Sequence, residues 1–94
     1  MLTNEQKRKL RAIAHHEKTT VYIGKNGLTE TVYESFENSL VAHNLVKVTL
    51  QKTAPIEKEV VSEELTERFA CDLVSSVGRV LVFYRKGPKG RILI

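Results

Sequence analysis

The chain has no tryptophan, only one cysteine and only two prolines in 94 residues. A lone cysteine, Cys71, excludes an internal disulfide and, with the context around it, points to a reducing, cytoplasmic setting. No run approaches the roughly eighteen apolar residues of a membrane span. The opening Met-Leu-Thr-Asn-Glu-Gln-Lys-Arg-Lys lacks the apolar stretch of a secretion signal. Three tyrosines and three phenylalanines are too few for the base-stacking sheet of an RRM. Repeats and interdomain linkers are also missing, so residues 1–94 read as one domain with one core. Residues 86–94 begin with Lys86-Gly87-Pro88-Lys89-Gly90, which reads as a loose, basic turn or tail.

The usual signatures of catalysis are absent too. His15 and His16 are adjacent, so on a helix they point about 100° apart and do not chelate one metal together. Cys71 and His43 have no metal-site or nucleophile spacing, and Glu63, Glu64 and Glu67 read as a solvated acidic face. The one glycine-rich loop lacks the length and the Lys-Ser/Thr ending of a Walker A motif. The expectation is a protein that is not an enzyme and needs no metal or cofactor. Nothing calls for a dimer, so a monomer is expected.

What the chain does have is segregated charge. Residues 1–27 carry six basic and two acidic side chains, residues 28–72 four basic and nine acidic, and residues 73–94 five basic and none acidic. If folding brings both termini to one side, a cationic face is backed by an anionic one. Such a one-sided field attracts polyanions. An ordinary solvated surface remains the plain alternative.

Local signals alternate between helix and strand. Thr3 with Gln6 forms a capping box for a first helix ending near His15-His16, with Leu10, Ile13 and Ala14 as its apolar stripe. A first strand covers Thr20 to Ile23. Thr29 caps a second helix whose stripe is Leu28, Val32, Phe36 and Leu40, widened by Tyr33 and Val41, and Asn44 ends it. Leu45 to Leu50 alternates as a strand. Ser62 is the expected cap of a third helix whose core face is Val61, Leu65, Phe69 and Leu73. Asp72 to Val77, a Gly78-Arg79 turn and Val80 to Tyr84 complete a hairpin, and Arg91 to Ile94 adds a short extended segment. The order αβαβαββ predicts an α/β (α+β) two-layer sandwich on a four-stranded mixed sheet.

Between the first strand and the second helix stands Gly24-Lys25-Asn26-Gly27. Glycines let a ligand approach the backbone, and a helix N-terminus offers N–H groups to a phosphate. Lys25 adds a cation and Asn26 an amide. KH modules clamp nucleic-acid backbone with such a Gly-x-x-Gly loop. The same four residues also make a good plain turn.

The pattern of Leu2-Thr-Asn-Glu-Gln-Lys-Arg-Lys-Leu10, Ala14-His15-His16 and Val21-Tyr-Ile-Gly-Lys-Asn-Gly-Leu-Thr29 continues through Leu45-Val-Lys-Val48 and Val77-Gly-Arg-Val-Leu-Val-Phe-Tyr-Arg85. Together these resemble the CRM family, the chloroplast RNA splicing and ribosome maturation domain, in its small stand-alone bacterial form, YhbY-like. The resemblance covers nearly the whole chain. It implies a fold similar to the C-terminal domain of translation initiation factor three, and RNA binding. It also implies association with ribosomal RNA in precursors of the large ribosomal subunit, and with intron splicing in the plant relatives. Gly24, Lys25, Asn26 and Gly27 stand in the family's Gly-x-x-Gly positions.

The mechanism expected from these residues is capture of RNA phosphates by the loop N–H groups and Lys25. Lys7, Arg8, Lys9, Arg11 and Lys18 extend the track from the first helix, and Arg79, Arg85 and Lys86 from the hairpin. Tyr22 and Tyr84 are available either to stack on bases or to pack in the sheet. The rival expectation is a protein-interaction module, in which an acidic stripe of Glu30, Glu34 and Glu37 binds a basic ribosomal protein.

Overall fold

The computed structural model describes residues 2–86. The basic turn from Gly87 onward and the extended segment Arg91 to Ile94 lie outside the described residues. The elements are α1 (Asn4–His15), β1 (Val21–Ile23), α2 (Glu30–His43), β2 (Leu45–Leu50), α3 (Lys58–Phe69), β3 (Asp72–Val77) and β4 (Val80–Tyr84). Their order is the expected αβαβαββ.

Local chemistry explains most boundaries. Thr3 Oγ1 accepts from the Gln6 N–H at 3.1 Å while Gln6 Oε1 accepts from the Thr3 N–H at 2.9 Å, a reciprocal capping box that starts α1. Thr29 Oγ1 accepts from the Val32 N–H and starts α2. Asn44 (φ 65°) and Ala70 (φ 51°) end α2 and α3 in left-handed φ. The start of α3 differs from expectation. Glu57 occupies the cap position without a side-chain cap bond, and Ser62 lies inside the helix, its hydroxyl donating to the Glu59 carbonyl. A helix that starts without a Ser, Thr, Asp or Asn cap leaves no local N-terminal signal.

The four strands form one mixed sheet in the order β1-β2-β4-β3, with β1 parallel to β2 and the other pairs antiparallel. Alternation along each strand divides the side chains between two faces. Val46, Val48, Leu50, Leu81 and Phe83 meet Phe36 and Leu40 of α2 and Val61 and Leu65 of α3 in the larger core. Phe36 sits edge-on to Phe83 at 5.2 Å between ring centroids. On the opposite face Leu45, Val82, Tyr84 and Val74 meet Leu10 and Ala14 of α1. Three helices on a four-stranded mixed sheet match the expectation, but the expected two layers are three, because α1 packs on the face of the sheet opposite α2 and α3. One further expectation changes and one open alternative closes. Val41 is 42% exposed and no part of the core stripe, while Tyr84, at 3% exposed, packs in the sheet.

Candidate nucleic-acid interface

The Gly24–Gly27 loop begins where β1 ends and leads into α2. The Gly27 N–H donates to the Gly24 carbonyl at 3.0 Å, which closes a tight turn with Lys25 and Asn26 at its corners. Gly27 has φ 67°, so the turn needs a residue free to adopt left-handed backbone there. At Gly24 a Cβ would come 2.8 Å from Gln51 Oε1, a contact a movable side chain can relieve. Lys25 and Asn26 are exposed, and no backbone hydrogen bond engages their N–H groups among the described residues. The Gly27 N–H is therefore removed from the expected phosphate donors, while the two corner N–H groups remain.

Topology gathers more around this turn. Because β1 and β2 are parallel, both end at the same edge of the sheet, and the Gln51 N–H donates to the Ile23 carbonyl. Antiparallel β4 starts there, with the Leu50 N–H donating to the Arg79 carbonyl at 2.8 Å. Thus Lys25, Lys52 and Arg79, all exposed, stand at one end of the sheet. Carboxyl ends of parallel strands are where open α/β sheets commonly place ligands. Lys52 carries no local motif, and the signal that places it beside Lys25 is the β–α–β crossover, which implies parallel neighbours. Lys58 stands nearby but donates to the Gly78 carbonyl.

The other expected residues fall elsewhere. Arg8, Lys9, Arg11 and Lys18 are exposed and Lys7 half-buried on or just after α1, on the face of the sheet opposite α2 and α3. Arg85 and Lys86 leave β4 at the far end from Arg79. Lys86 is exposed, but Arg85 is committed within the fold. Its guanidinium makes a two-pronged pair with Glu37 at 3.0 Å and donates to the Phe69 carbonyl at 3.0 Å. These bonds take it out of the expected RNA track. They also remove Glu37 from the expected acidic stripe, leaving Glu30 and Glu34 exposed. The sheet thus separates cationic α1 from the acid-rich α2 and α3.

Comparison with known proteins identifies the family. The model of the CRS1 / YhbY (CRM) domain matches residues 2–85. The chain belongs to that family. This CRM domain is 39% identical over 88 residues to a probable RNA-binding protein of Pseudomonas aeruginosa, covering 94% of this chain and 85% of the relative. It is 31% identical to a probable RNA-binding protein of Bacillus subtilis, covering 97% of this chain and 95% of the other. It also superimposes with a TM-score of 0.78 on the solution structure of a Staphylococcus aureus protein described as a candidate RNA-binding protein. That match has 33% identity and covers 94% of this chain and 92% of that one. These relatives are described by RNA binding and not by a reaction. The CRM domain carries no cluster of three or more His, Cys, Asp or Glu suited to a metal among its described residues. Its cysteine is a packing residue: buried Cys71 donates to the Leu65 carbonyl, and burial pushes its thiol up to about 12.

Proposed function

We propose that this CRM domain binds RNA by capturing backbone phosphates at the loop end of its sheet. The observation that carries the reading is the convergence of Lys25, Lys52 and Arg79 around a turn whose corner residues are exposed and whose corner N–H groups make no backbone hydrogen bond among the described residues. Lys25 supplies point charge and the corner N–H groups supply direction, as in other backbone nests. Lys7, Arg8, Lys9, Arg11 and Lys18 of the α1 region extend the cationic track. Contacts of this kind set position and leave sequence unread, so selectivity comes from RNA shape or from unpaired bases. The family resemblance directs the partner to ribosomal RNA in precursors of the large subunit, met by a cytoplasmic monomer during ribosome assembly.

The test is affinity for ribosomal RNA fragments across a salt series, comparing the wild type with Lys25→Asp/Asn26→Asp. Both glycines stay, so the turn still closes. Binding weakens roughly tenfold or more, and the slope of log affinity against log salt becomes shallower by about one. A folded variant that binds like the wild type would reduce the loop to a turn. The acidic-face alternative then gains ground, with charge reversal of Glu30 and Glu34 as its own test.

A further inference from the structure

One row of the sheet is only partly covered: its inner residues Thr49 and Val80 are half-buried, with Thr49 Oγ1 2.8 Å from Thr19 Oγ1, while its two ends stand exposed. Strand register joins Tyr22 to Thr49, Thr49 to Val80, and Val80 to Val77, one residue from each of the four strands. Partnered residues share a face, and here it is the α1 face, because Val80 alternates with Val82. Helix α1 covers the rows through Val82 and Tyr84 and stops short of this one. Consequently Tyr22 is 58% and Val77 73% exposed. Between α1 and the Val77–Val80 half of the row runs a groove of about 290 Å³ lined by Arg11, His15, Ser75, Val77 and Val80, among others, with no carboxylate in its lining, and Tyr22 and Thr49 lie outside that lining. Arg11 makes no ion pair among the described residues. The groove is near the lower end of the range for small-ligand sites, roughly 300–1,000 Å³.

The charge around the row specifies its occupant. Arg11 and His15 border it on the α1 side, and the turn bearing Arg79 and the loop bearing Lys25 border it on the other. A flat strip with an aromatic at one edge and valines at the other, between cations, matches a polyanion that carries flat apolar groups. Single-stranded RNA has that chemistry, whereas a duplex keeps its bases stacked inside. We propose that the Tyr22–Thr49–Val80–Val77 row takes the unpaired bases of single-stranded RNA, Tyr22 stacking on one and Val77 and Val80 packing on another. The Gly24–Gly27 loop then holds the backbone while the sheet row holds the bases.

This inference rests on the RNA-binding reading above, and one experiment separates their failures. An octauridylate and the same ribose-phosphate backbone stripped of its bases are titrated against wild type, Tyr22→Ser/Val77→Ser and Lys25→Asp. The wild type prefers the octauridylate by roughly tenfold, the scale of one stacked base. The double serine variant loses that preference while its affinity for the stripped backbone stays unchanged, and Lys25→Asp weakens both. In wild-type protein, the Val77 and Val80 methyl resonances shift with the octauridylate and stay still with the stripped backbone. This second readout needs no variant. Equal affinity of the wild type for the two oligomers, or static valine methyls while the Lys25 amide moves, overturns the base row and leaves phosphate capture standing. Binding of neither oligomer overturns the RNA reading, and the base row with it. Methyl shifts of the same size with oligoglutamate would make the groove a generic anion site and also overturn it.

Discussion

Strand β4 has an arginine at each end, and the two have opposite fates. Arg79, in the turn before Val80, is exposed and has no carboxylate partner among the described residues. Arg85, just after Tyr84, is gripped by Glu37 and the Phe69 carbonyl. Around Arg85 everything is closed. Its N–H donates to the Asn44 carbonyl, Asn44 Nδ2 donates back to the Arg85 carbonyl at 2.9 Å, and Asn44 is fully buried. Around Arg79 the exposed cations Lys25 and Lys52 lack carboxylate partners among the described residues, and the corner residues of the Gly24–Gly27 turn are exposed. One end of the sheet holds the fold together so that the other can present charge to a ligand.

The comparison breaks most easily at the closed end. Asn44→Ala puts alanine at φ 65° and strips the Arg85 carbonyl of its partner. The cost is about 2–4 kcal/mol in urea unfolding, with RNA affinity of the folded protein unchanged. Asn44→Gly recovers only the backbone part, about 1 kcal/mol. Arg85→Gln comes next. It leaves Glu37 and the Phe69 carbonyl unmatched, yet the pair's side chains are 26% and 42% exposed, so water compensates in part. About 1–2 kcal/mol of stability goes, again without loss of RNA affinity. A drop in affinity larger than the loss of folded protein explains would make the two ends alike and undo the comparison.

Cys71 reports on the closed end through pH. It precedes β3, whose first residue Asp72 pairs with Tyr84. Burial, the chief cause, raises its thiol from 9.0 to about 12. The native state therefore keeps a proton that the unfolded chain releases. The thiol's contribution is complete below pH 9 and is lost as pH rises toward about 12. Between pH 9 and 10 wild type loses up to about 1 kcal/mol more stability than Cys71→Ala. Parallel stability curves for the two proteins would show that the thiol titrates normally.

How much of this was legible depends on whether the signal is local. Thr3 with Gln6 and Thr29 with its apolar stripe declare their helices because caps and stripes are written within a few residues. Segregated charge was legible for the same reason, and α1 on one face with α2 and α3 on the other turns that linear pattern into a spatial one. The fate of Arg85 was not legible, since Glu37 lies 48 positions away and only the sheet order brings them together. Lys25 and Lys52 are likewise joined by strand pairing rather than by sequence. The partly covered row needed still more, because it depends on how far along the sheet α1 reaches.

The smallest effect is the sharpest test of the comparison. Arg79→Gln removes a charge from the open end, where Arg79 is exposed and makes no ion pair among the described residues. Its stability should stay within about 0.5 kcal/mol of wild type, the usual range for an exposed site. Affinity for ribosomal RNA fragments should fall about threefold, with the salt slope reduced by about one as one phosphate contact is lost. Arg85→Gln makes the same chemical change on the same strand, so each variant is the other's control. Stability moves for Arg85 alone and the salt slope for Arg79 alone if the two ends have separate roles. An Arg79→Gln protein with an unchanged salt slope would remove the turn from the RNA track and confine phosphate capture to the Gly24–Gly27 loop and α1.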